Sequence, residues 1–317
     1  MTPLSAMNAT RSSNPLKPNV RLKPLVKYSG GKSRELAHYL KYFPKDYNIY
    51  FEPFLGGAAT FFALEPQRAF LGDVNEPLID FYRAVRDDYD SLSAELSSIQ
   101  RVYEANQSDY DARKAAHPDD HVPNANEAFY YDLRDQYNGV SSPRYSRAAL
   151  YYFINKTAYS GIIRHNALGQ FNVSFGYYRH FNAALVTRDY SSLLKRASLF
   201  RSDYDRLFRL ASRDDFMFLD PPYDCVFTDY GNAKTGNARA FDETEQRRLA
   251  AAFRRLECRA LMVINHTPLT EELYGDLVKD EYAKGYSMNI RNRFRSTATH
   301  YVVTNYPVEK EPTLFNP

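Results

Sequence analysis

The sequence predicts an α/β protein in which a doubly wound sheet is interrupted by a second, mostly helical lobe. Three observations lead to this prediction. Short apolar runs alternate with helical segments, an early run leads into a glycine loop, and a long helical insertion separates the early runs from the later ones. Alternating strands and helices are typical of parallel sheets, because each crossover places a helix on a face of the sheet.

The first motif in the chain is the turn Gly30-Gly31-Lys32, after which a helix is predicted from Ser33 to Tyr42. The turn is similar to the end of a phosphate-binding P-loop, but that motif needs a glycine where Val26 stands. No β-rich run precedes the turn either. We therefore reject a nucleotide triphosphatase, although a Gly-Gly turn with a lysine can still approach a small ligand closely.

A glycine loop follows the strand-like run 48–54. The loop Leu55-Gly56-Gly57-Ala58 leads into a helix predicted over 58–64, and such loops bring the backbone close to a cofactor. The next strand-like run, 69–72, ends at Asp73. Asp73 lies about twenty residues after the loop begins, the spacing at which an acidic residue reaches ribose hydroxyls. The spacing therefore predicts a cofactor that contains a nucleoside. It does not identify which cofactor this is.

The later segments supply the remaining predicted elements. A helix is predicted from Asn75 to Arg86 with Asn75 as its cap, and the acidic stretch 90–135 is predicted to be helical. His117 to His121 has the residue types of a metal site without a partner cluster, so we interpret it as an exposed loop and predict no metal. The remaining predictions are strands over 197–200, 260–266 and 301–306, a mobile loop over 224–241, and a helix over 246–256 capped by Asp242 or Thr244.

The apolar run Phe216 to Leu219 is predicted to be a buried strand that ends in a rigid turn, Asp220-Pro221-Pro222-Tyr223. Each proline fixes its own φ and restricts the residue before it, and neither has a backbone N–H. The turn therefore presents a carboxylate, backbone carbonyls and an aromatic ring. These groups could bind a planar amino group: two acceptors would take its hydrogens, while the aromatic ring of the turn would stack against the bound group. A strand-end turn without function remains the alternative at this point.

Composition indicates an ordinary globular protein of 317 residues, of which 44% are hydrophobic and 25% charged. Two cysteines, Cys225 and Cys258, provide no disulfide framework, which is typical of a reducing compartment. Residues 1–20 are rich in Ser, Asn and Pro and are predicted to be a disordered tail, and no apolar run reaches the length of a membrane span. We therefore expect a cytoplasmic protein that does not bind membranes.

Charge is distributed unevenly along the chain. Residues 73–132 carry fourteen acidic and five basic side chains, whereas residues 134–196 carry nine basic, two acidic and twelve Tyr or Phe side chains. Basic residues interleaved with aromatic ones are typical of nucleic-acid surfaces, because cations neutralise phosphates while rings stack on bases. A solvated positive face over an aromatic core explains the same pattern, and the composition does not decide between the two.

The motifs together identify a family. A glycine–lysine turn, Glu52-Pro53-Phe54 with its glycine loop, Asp73-Val74-Asn75, a basic insertion and Asp220 to Tyr223 follow one another in this order. Over roughly residues 25–306 the chain resembles the Dam-like, alpha-group DNA adenine methyltransferases. The resemblance implies methyl transfer from S-adenosylmethionine to the exocyclic amine of adenine in DNA. It also implies a Rossmann-like methyltransferase fold with an inserted, mostly helical target-recognition domain.

The resemblance also implies a division of the chain and roles for particular residues. We expect a catalytic domain over 21–87 and 193–309, with a DNA-binding target-recognition domain over 88–192. The expected catalytic residues are Asp220, Pro221, Pro222 and Tyr223. The expected cofactor-binding residues are Tyr28, Lys32, Glu52, Pro53, Phe54, Gly56, Gly57, Asp73, Asp203 and Tyr204. The expected DNA-binding residues are Lys27, Tyr159, Ser160, Ile162, Arg164, Asn166, Arg291, Arg293 and Arg295.

The chain departs from the family pattern at a few positions. Ala58 stands where the glycine loop often has a third glycine. Ser160, Ser174 and Tyr177 replace the Asn, Pro and Arg that are usual in members that read GATC. The recognition sequence is therefore left open by this chain, whereas the reaction is not.

The expected partner is double-stranded DNA, on which the protein acts as a monomer near the nucleoid, and a cognate restriction endonuclease is a further candidate partner. Two alternative functions keep the same fold. One is a methyltransferase for RNA or for protein glutamine, and the other is a DNA-binding regulator without enzymatic activity. The basic, aromatic insertion argues against a small protein substrate, and the intact Asp220–Tyr223 turn argues against a regulator.

Overall fold

The centre of the protein is a seven-stranded sheet. The structure is a computed structural model that describes residues 12–13, 22–28, 30–161, 163–223, 241–286 and 296–308. The strands in these ranges are β1 (Ser12–Ser13), β2 (Asp46–Tyr47), β3 (Tyr50–Glu52), β4 (Ala69–Asp73), β5 (Ala197–Arg201), β6 (Phe216–Leu219), β7 (Arg259–Asn265), β8 (Val278–Tyr286) and β9 (Ser296–Thr304). The large sheet has the order β5-β4-β3-β6-β7-β9-β8, and β1 pairs separately with β2.

The strand order reverses at the middle of this sheet. β3, β4, β5, β6 and β7 are parallel neighbours, whereas β9 pairs antiparallel with both β7 and β8. The chain runs outward from β3 through β4 to β5 and then returns to place β6 on the other side of β3. Ligands bind at such a switch point, beyond the carboxyl ends of the strands, because the connecting loops diverge there. The fold is the predicted Rossmann-like α/β class.

Ten α-helices surround the sheet in the described ranges. They are α1 (Leu36–Tyr39), α2 (Ala59–Leu64), α3 (Glu76–Asp87), α4 (Tyr89–Ala116), α5 (Ala125–Tyr137), α6 (Arg147–Thr157), α7 (Arg188–Leu194), α8 (Tyr204–Leu210), α9 (Glu243–Arg254) and α10 (Pro268–Tyr274). Single 3₁₀ turns cover Leu40–Tyr42, Tyr159–Gly161, Ala183–Leu185 and Gly275–Leu277. Among the described helices, none has both the length and the apolar content that crossing a membrane requires.

Two predicted helix caps are confirmed, although α9 begins at Glu243 rather than at the predicted Gln246. The Asn75 side chain accepts a hydrogen bond from the N–H of Leu78 at 3.2 Å, and the Asp242 side chain accepts one from Glu245 at 3.1 Å. These bonds satisfy N–H groups that the first turn of a helix leaves unpaired. Asp242, rather than Thr244, is therefore the cap of α9.

Other boundaries differ from the prediction. α1 begins at Leu36 instead of Ser33, because turns over 31–35 continue the glycine motif; they are closed by bonds from Gly31 to Tyr28 and from Glu35 to Lys32. The helical stretch predicted over 90–135 is two helices, α4 and α5, separated by the exposed loop 117–124. Residues 224–240 of the loop predicted over 224–241, and most of the predicted tail, lie outside the described residues.

The sheet buries an apolar layer on each face. Alternate residues of β6 point to opposite sides, so Phe216 and Phe218 pack near Phe43, whereas Met217 and Leu219 pack in a second cluster. The rings of Phe43 and Phe216 lie 4.6 Å apart in an edge-on arrangement. These layers hold the carboxyl end of β6 in place.

Helix α6 connects the inserted helices to α3, the helix that follows β4. The insertion α4–α6 lies between β4 and β5 in the chain, and nearly every residue of α6 is buried. Tyr152 of α6 stacks on Phe81 of α3, with the ring centroids 5.4 Å apart. Because α3 follows β4 directly, this contact fixes the insertion relative to the end of β4.

Candidate active site

A large cleft lies at the carboxyl ends of the central strands. Its volume is about 2360 Å³, and Gly56, Asp73 and Asp220 all line it. These residues follow β3, β4 and β6, whose carboxyl ends meet at one edge of the sheet because the strands are parallel. The glycine loop and the proline turn therefore share one cavity, as the sequence analysis requires.

The glycine loop is fixed by the carboxylate of Asp73. One of its oxygens accepts the N–H of Gly56 at 2.9 Å, and the other accepts the N–H of Asn75 at the same distance. Gly56 has a φ of +46°, and a Cβ added there would lie 3.0 Å from the ring of Tyr28. This position needs glycine for its backbone conformation and for the close approach of Tyr28.

Ala58, where the family often has a third glycine, adopts the left-handed conformation with a φ of 57°. For a residue with a Cβ this conformation costs about 1–2 kcal/mol, which glycine would not incur. The loop therefore keeps the shape that a glycine would give it, at some cost in stability. Helix α2 begins immediately after Ala58.

Two carboxyl groups are buried beside the loop. Burial raises the pKa of Glu52 to about 8, although a hydrogen bond of 2.8 Å from the Tyr50 hydroxyl opposes this rise. Burial also raises the pKa of Asp73, and the N–H groups of Asn75 and Gly56 oppose that rise. Glu52 is therefore largely protonated at neutral pH, so this side of the cleft carries less negative charge than its residues suggest.

Lys32 joins the glycine–lysine turn to the proline turn. Its ammonium group lies 2.6 Å from a carboxylate oxygen of Asp220 and donates to the Tyr223 hydroxyl at 2.5 Å. It also donates to the carbonyl of Gly30 at 3.1 Å. The Lys32 side chain is 2% exposed. The family resemblance implies a cofactor-binding role for Lys32, and the structure places its charge on the predicted catalytic turn.

The environment of Asp220 combines burial with this cation. Burial raises the pKa of Asp220, and Lys32 opposes the rise through its charge and its hydrogen bond. The rest of the turn is fixed from another side, because the carbonyl of Pro222 accepts a hydrogen bond of 2.8 Å from Gln246 of α9. Contacts of Lys32 with Asp220 and of Gln246 with the Pro222 carbonyl therefore fix the turn on either side of Pro221.

Three aromatic rings form one end of the cleft. The Phe54 ring lies 5.4 Å from the Tyr204 ring and 5.9 Å from the Phe241 ring. The predicted residue Asp203 lies beside them, but both its oxygens accept from Arg248, at 3.2 and 3.1 Å. The sequence analysis did not select Phe241 or Arg248. Neither Phe241 nor Arg248 lies in a sequence motif, so their position at the cleft becomes visible only in the folded structure.

The predicted DNA residues on the insertion are partly exposed. Tyr159 is 55% exposed, Ser160 has a φ of 54°, and Arg164 is exposed with its Nε donating to Asn172 at 2.9 Å. Tyr159 and Arg164 therefore present an aromatic ring and a guanidinium group at the surface of the insertion. Ile162, Arg291, Arg293 and Arg295 lie outside the described residues.

Asn166 and Lys27 are tied to the protein itself. The Asn166 side chain accepts from the N–H groups of Leu168 and Gln170 at 2.9 and 3.0 Å and so closes the loop that follows it. The Lys27 ammonium donates to the carbonyl of Lys156 at 2.9 Å and lies 3.7 Å from the centre of the Tyr178 ring.

Within the described residues, no group of three or more His, Cys, Asp or Glu could hold a metal.

Comparison with known proteins gives consistent matches along the chain. The model of the D12 class N6 adenine-specific DNA methyltransferases matches residues 28–290. Type II methyltransferase M.CviBI of Paramecium bursaria Chlorella virus NC1A is 34% identical over 296 residues, covering 90% of this chain and 100% of the relative. Type II methyltransferase M1.LlaDCHI of Lactococcus lactis subsp. cremoris is 30% identical, with 92% and 98% covered. A DNA adenine methylase of Haemophilus influenzae is 28% identical, with 82% and 85% covered.

Proposed function

This chain belongs to the D12 class N6 adenine-specific DNA methyltransferase family, and we propose that the cleft between the glycine loop and the proline turn is its active site. The enzyme methylates the exocyclic amine of adenine in DNA, and its family uses S-adenosylmethionine. The observation that carries the assignment is that Asp220, Gly56 and Asp73 line one cavity. A base held at the turn and a cofactor held at the loop would meet there.

The cofactor site is assigned to the glycine loop and the aromatic end of the cleft. Tyr28, Lys32, Glu52 to Gly57, Asp73, Asp203 and Tyr204 keep the roles that the family resemblance implies. Two features fit such a ligand. The absence of a Cβ at Gly56 lets the Tyr28 ring pack directly on the loop at the wall of the cleft, and the buried Tyr204 hydroxyl has no hydrogen-bond partner among the described residues. Phe54 and Phe241 add apolar surface for a purine ring.

The chemistry follows from the acceptors on the turn. The lone pair of an adenine amine is delocalised into its ring, so the amine needs two acceptors to localise that pair towards the methyl group. Lys32 engages one oxygen of Asp220, and we assign the other oxygen, together with the carbonyl of Pro221, to the two amine hydrogens. The bound cofactor supplies the electrophilic methyl group. Positioning and preorganised charge then provide most of the rate acceleration. No strong base is needed before the transfer, because the methylated amine becomes acidic only afterwards and then releases its extra proton.

The DNA surface is assigned to the insertion, residues 88–192, as a target-recognition domain. The basic and aromatic content of its second part, residues 134–192, and the exposed Tyr159 and Arg164 support this assignment. The target base must leave the duplex, at a cost of about a few kcal/mol, and Tyr159 or Ile162 would fill the space it leaves. Arg164 would contact a guanine edge, while Lys27, Ser160 and Asn166 shape the same surface and Arg291, Arg293 and Arg295 contact phosphates.

The biological role proposed is site-specific marking of double-stranded DNA, in restriction–modification or as an epigenetic mark. Two relatives are named type II methyltransferases, which supports the first role and a cognate endonuclease as a partner. We propose that the enzyme acts as a monomer on the chromosome, in the cytoplasm. Because Ser160, Ser174 and Tyr177 differ from the residues usual in members that read GATC, we assign no recognition sequence.

The decisive experiment expresses the protein in a host without adenine methylation and sequences the genome for modified adenines. Wild-type protein is expected to modify one short sequence. Asp220→Ala is expected to lower the single-turnover rate on DNA at least about 100-fold, because it removes an acceptor that acts in the transition state. Its affinity for S-adenosylmethionine should stay close to wild type, and a variant that loses cofactor binding instead would place Asp220 in another role. Labelled methyl transfer to RNA or protein, without transfer to DNA, would refute the assignment.

A further inference from the structure

A second layer of polar side chains lies beside the proline turn, contributed by the segment after Lys32 and by the β8–β9 pair, and its members Glu35, Tyr282 and Lys284 also line the cleft. The carboxylate of Glu35 accepts a hydrogen bond of 2.7 Å from the Tyr282 hydroxyl and lies 2.9 Å from Nδ1 of His300. Its other oxygen lies 2.5 Å from the ammonium of Lys284. Tyr282 and His300 face each other across the two strands. No local motif in the sequence marks these residues as a group.

This layer contacts the turn through an aromatic ring. The His300 and Tyr223 rings lie 5.1 Å apart with an interplanar angle of 73°, so one ring presents its edge to the other. The Tyr223 hydroxyl accepts from Lys32 at 2.5 Å and donates to Asp220 at 3.4 Å. A continuous path of contacts therefore leads from Glu35 through His300 and Tyr223 to the carboxylate of Asp220.

The protonation states in the layer are well defined. Burial alone would raise the pKa of Glu35, but its bonds to His300, Lys284 and Tyr282 and the charge of Lys32 lower it to about 2. Burial lowers the pKa of His300, whose side chain is fully buried. At neutral pH, Glu35 is thus ionised and His300 is neutral, with its Nδ1–H donating to Glu35. This bond sets both the tautomer and the orientation of the imidazole.

Burying such a group is costly, which argues against a purely structural role. A buried ion pair is often no more stabilising than apolar residues of the same size, because both charges lose their water. An apolar layer could support the sheet equally well. The polar layer, in contrast, fixes the orientation of each ring and of each hydrogen-bonding proton. The His300 ring in turn contacts Tyr223 of the catalytic turn.

We propose that Glu35 and His300 are positioning residues for methyl transfer, which hold Tyr223 and thereby the Lys32–Asp220 pair in the geometry that receives the target amine. The proposal rests on the role of Asp220 and Tyr223 given above. Neither Glu35 nor His300 needs to touch DNA or cofactor for this role. Their loss should affect the chemical step more than the binding of either substrate.

The test uses the full-length enzyme with an oligonucleotide duplex that contains its mapped sequence. Glu35→Gln removes the charge that orients His300, and His300→Phe keeps a ring against Tyr223 without the Nδ1–H. Each variant is measured for its single-turnover rate at saturating substrates, for its dissociation constants for DNA and S-adenosylmethionine, and for its thermal melting. Tyr42→Phe is the matched control, because Tyr42 donates to Asp280 of β8 at 2.7 Å, the same type and length of bond, away from the turn.

We expect Glu35→Gln and His300→Phe to lower the saturated rate by about tenfold or more, since small misplacements of reacting groups have large kinetic effects. Both dissociation constants should stay within about threefold of wild type, and Tyr42→Phe should keep the wild-type rate. A wild-type rate in both folded variants, or a loss confined to the dissociation constants, would overturn the proposal.

A milder variant decides the question where these two do not fold. Tyr282→Phe removes one hydrogen bond from Glu35 and keeps the ring, and we expect a rate loss of about threefold relative to Tyr42→Phe. Equal rates for Tyr282→Phe and Tyr42→Phe would overturn the proposal. The Asp220→Ala variant distinguishes failure of the assigned active site from failure of the positioning role. If Asp220→Ala keeps its activity, the assigned active site is wrong. If Asp220→Ala is inactive while the Glu35 and His300 variants keep the wild-type rate, only the positioning role is wrong.

Discussion

Lys32 determines the electrostatics of the catalytic turn. Its ammonium contacts the Asp220 carboxylate and the Tyr223 hydroxyl at once, and its side chain is almost fully buried. A buried carboxylate without such a partner would tend to take up a proton. Lys32 therefore favours the ionised, accepting form of Asp220 in a place where burial disfavours it.

Removing this charge should shift the pH dependence of methyl transfer. Burial raises the pKa of Asp220 and Lys32 opposes the rise, so Lys32→Gln should raise this pKa further. Asp220 accepts amine hydrogens only when ionised, so the rate falls as the pH decreases through its pKa. The acidic limb of the single-turnover rate should therefore move to higher pH in Lys32→Gln.

The control for this prediction is Lys41→Gln, which removes the same charge from a surface pair with Asp280. Its acidic limb should coincide with that of the wild type. Rates are measured over a pH series at saturating DNA and cofactor, so that changes in binding do not enter. Coincident limbs for Lys32→Gln and wild type would mean that Lys32 does not control the protonation of Asp220.

At the scale of single residues, the sequence predicted the site more completely than it predicted the contacts within it. Asp220, Asp73 and Gly56 were selected from local motifs, and they line one cleft. The contact between Lys32 and Tyr223 spans 191 positions and leaves no local pattern. Arg248, which binds Asp203, was missed for the same reason, since it lies on an ordinary amphipathic helix.

At the scale of elements, strands with apolar runs were predicted and the charged edge strand was not. β6 was predicted at Phe216–Leu219, where the structure has it. β8 carries Lys279, Asp280 and Glu281 and was not recognised. Charged side chains protect an edge strand from pairing with other molecules, and they also remove the alternation that identifies a strand.

Two asparagines join elements in the same way and allow a matched comparison. Asn155 of α6 pairs with both backbone groups of Lys27, at 2.8 Å each. Asn138, after α5, pairs with both backbone groups of Phe171, at 2.9 Å each. The first pair fixes the segment that carries Tyr28, and the second fixes the loop that follows Arg164.

The two asparagines should therefore have different effects. Asn155→Ala leaves the Lys27 backbone unpaired and should weaken S-adenosylmethionine binding by about tenfold, the effect of losing roughly 1.4 kcal/mol. Asn138→Ala should weaken or broaden DNA recognition and leave cofactor affinity near wild type. Isothermal titration with the cofactor and methylation of a sequence library measure the two effects. Equal loss of cofactor affinity in both variants would indicate general destabilisation and contradict the prediction.

At the scale of the whole molecule, the active site depends on the meeting of distant parts of the chain. Lys32 and Glu35 near its start and Tyr282 and His300 near its end come together beside the turn at 220–223. The order of alternating strands and helices predicted the doubly wound sheet, because such alternation follows general rules of α/β folds. The order could not predict the Glu35–His300 layer, because it depends on side-chain packing across 265 positions.

The stability of the whole protein should depend on pH through Glu52. Its pKa is about 8 in the folded protein against an ordinary value of 4.5. The folded state thus holds a proton that the unfolded state has released between these values, and stability falls as the pH rises, by at most about 1.4 kcal/mol per unit. The contribution is fully present below about pH 4.5 and lost above about pH 8.

Glu52→Gln removes the titrating carboxyl group and keeps an oxygen that can accept a hydrogen bond from the Tyr50 hydroxyl. We expect the denaturation midpoint of Glu52→Gln to exceed that of the wild type at pH 8 and to approach it at pH 5, measured without cofactor. His300 titrates in both proteins, so the difference between them isolates Glu52. Glu271→Gln is the control, because Glu271 also accepts from a tyrosine, at 2.5 Å, but is 55% exposed to water. A difference between Glu52→Gln and wild type that does not grow with pH would show that Glu52 is ionised in the folded protein.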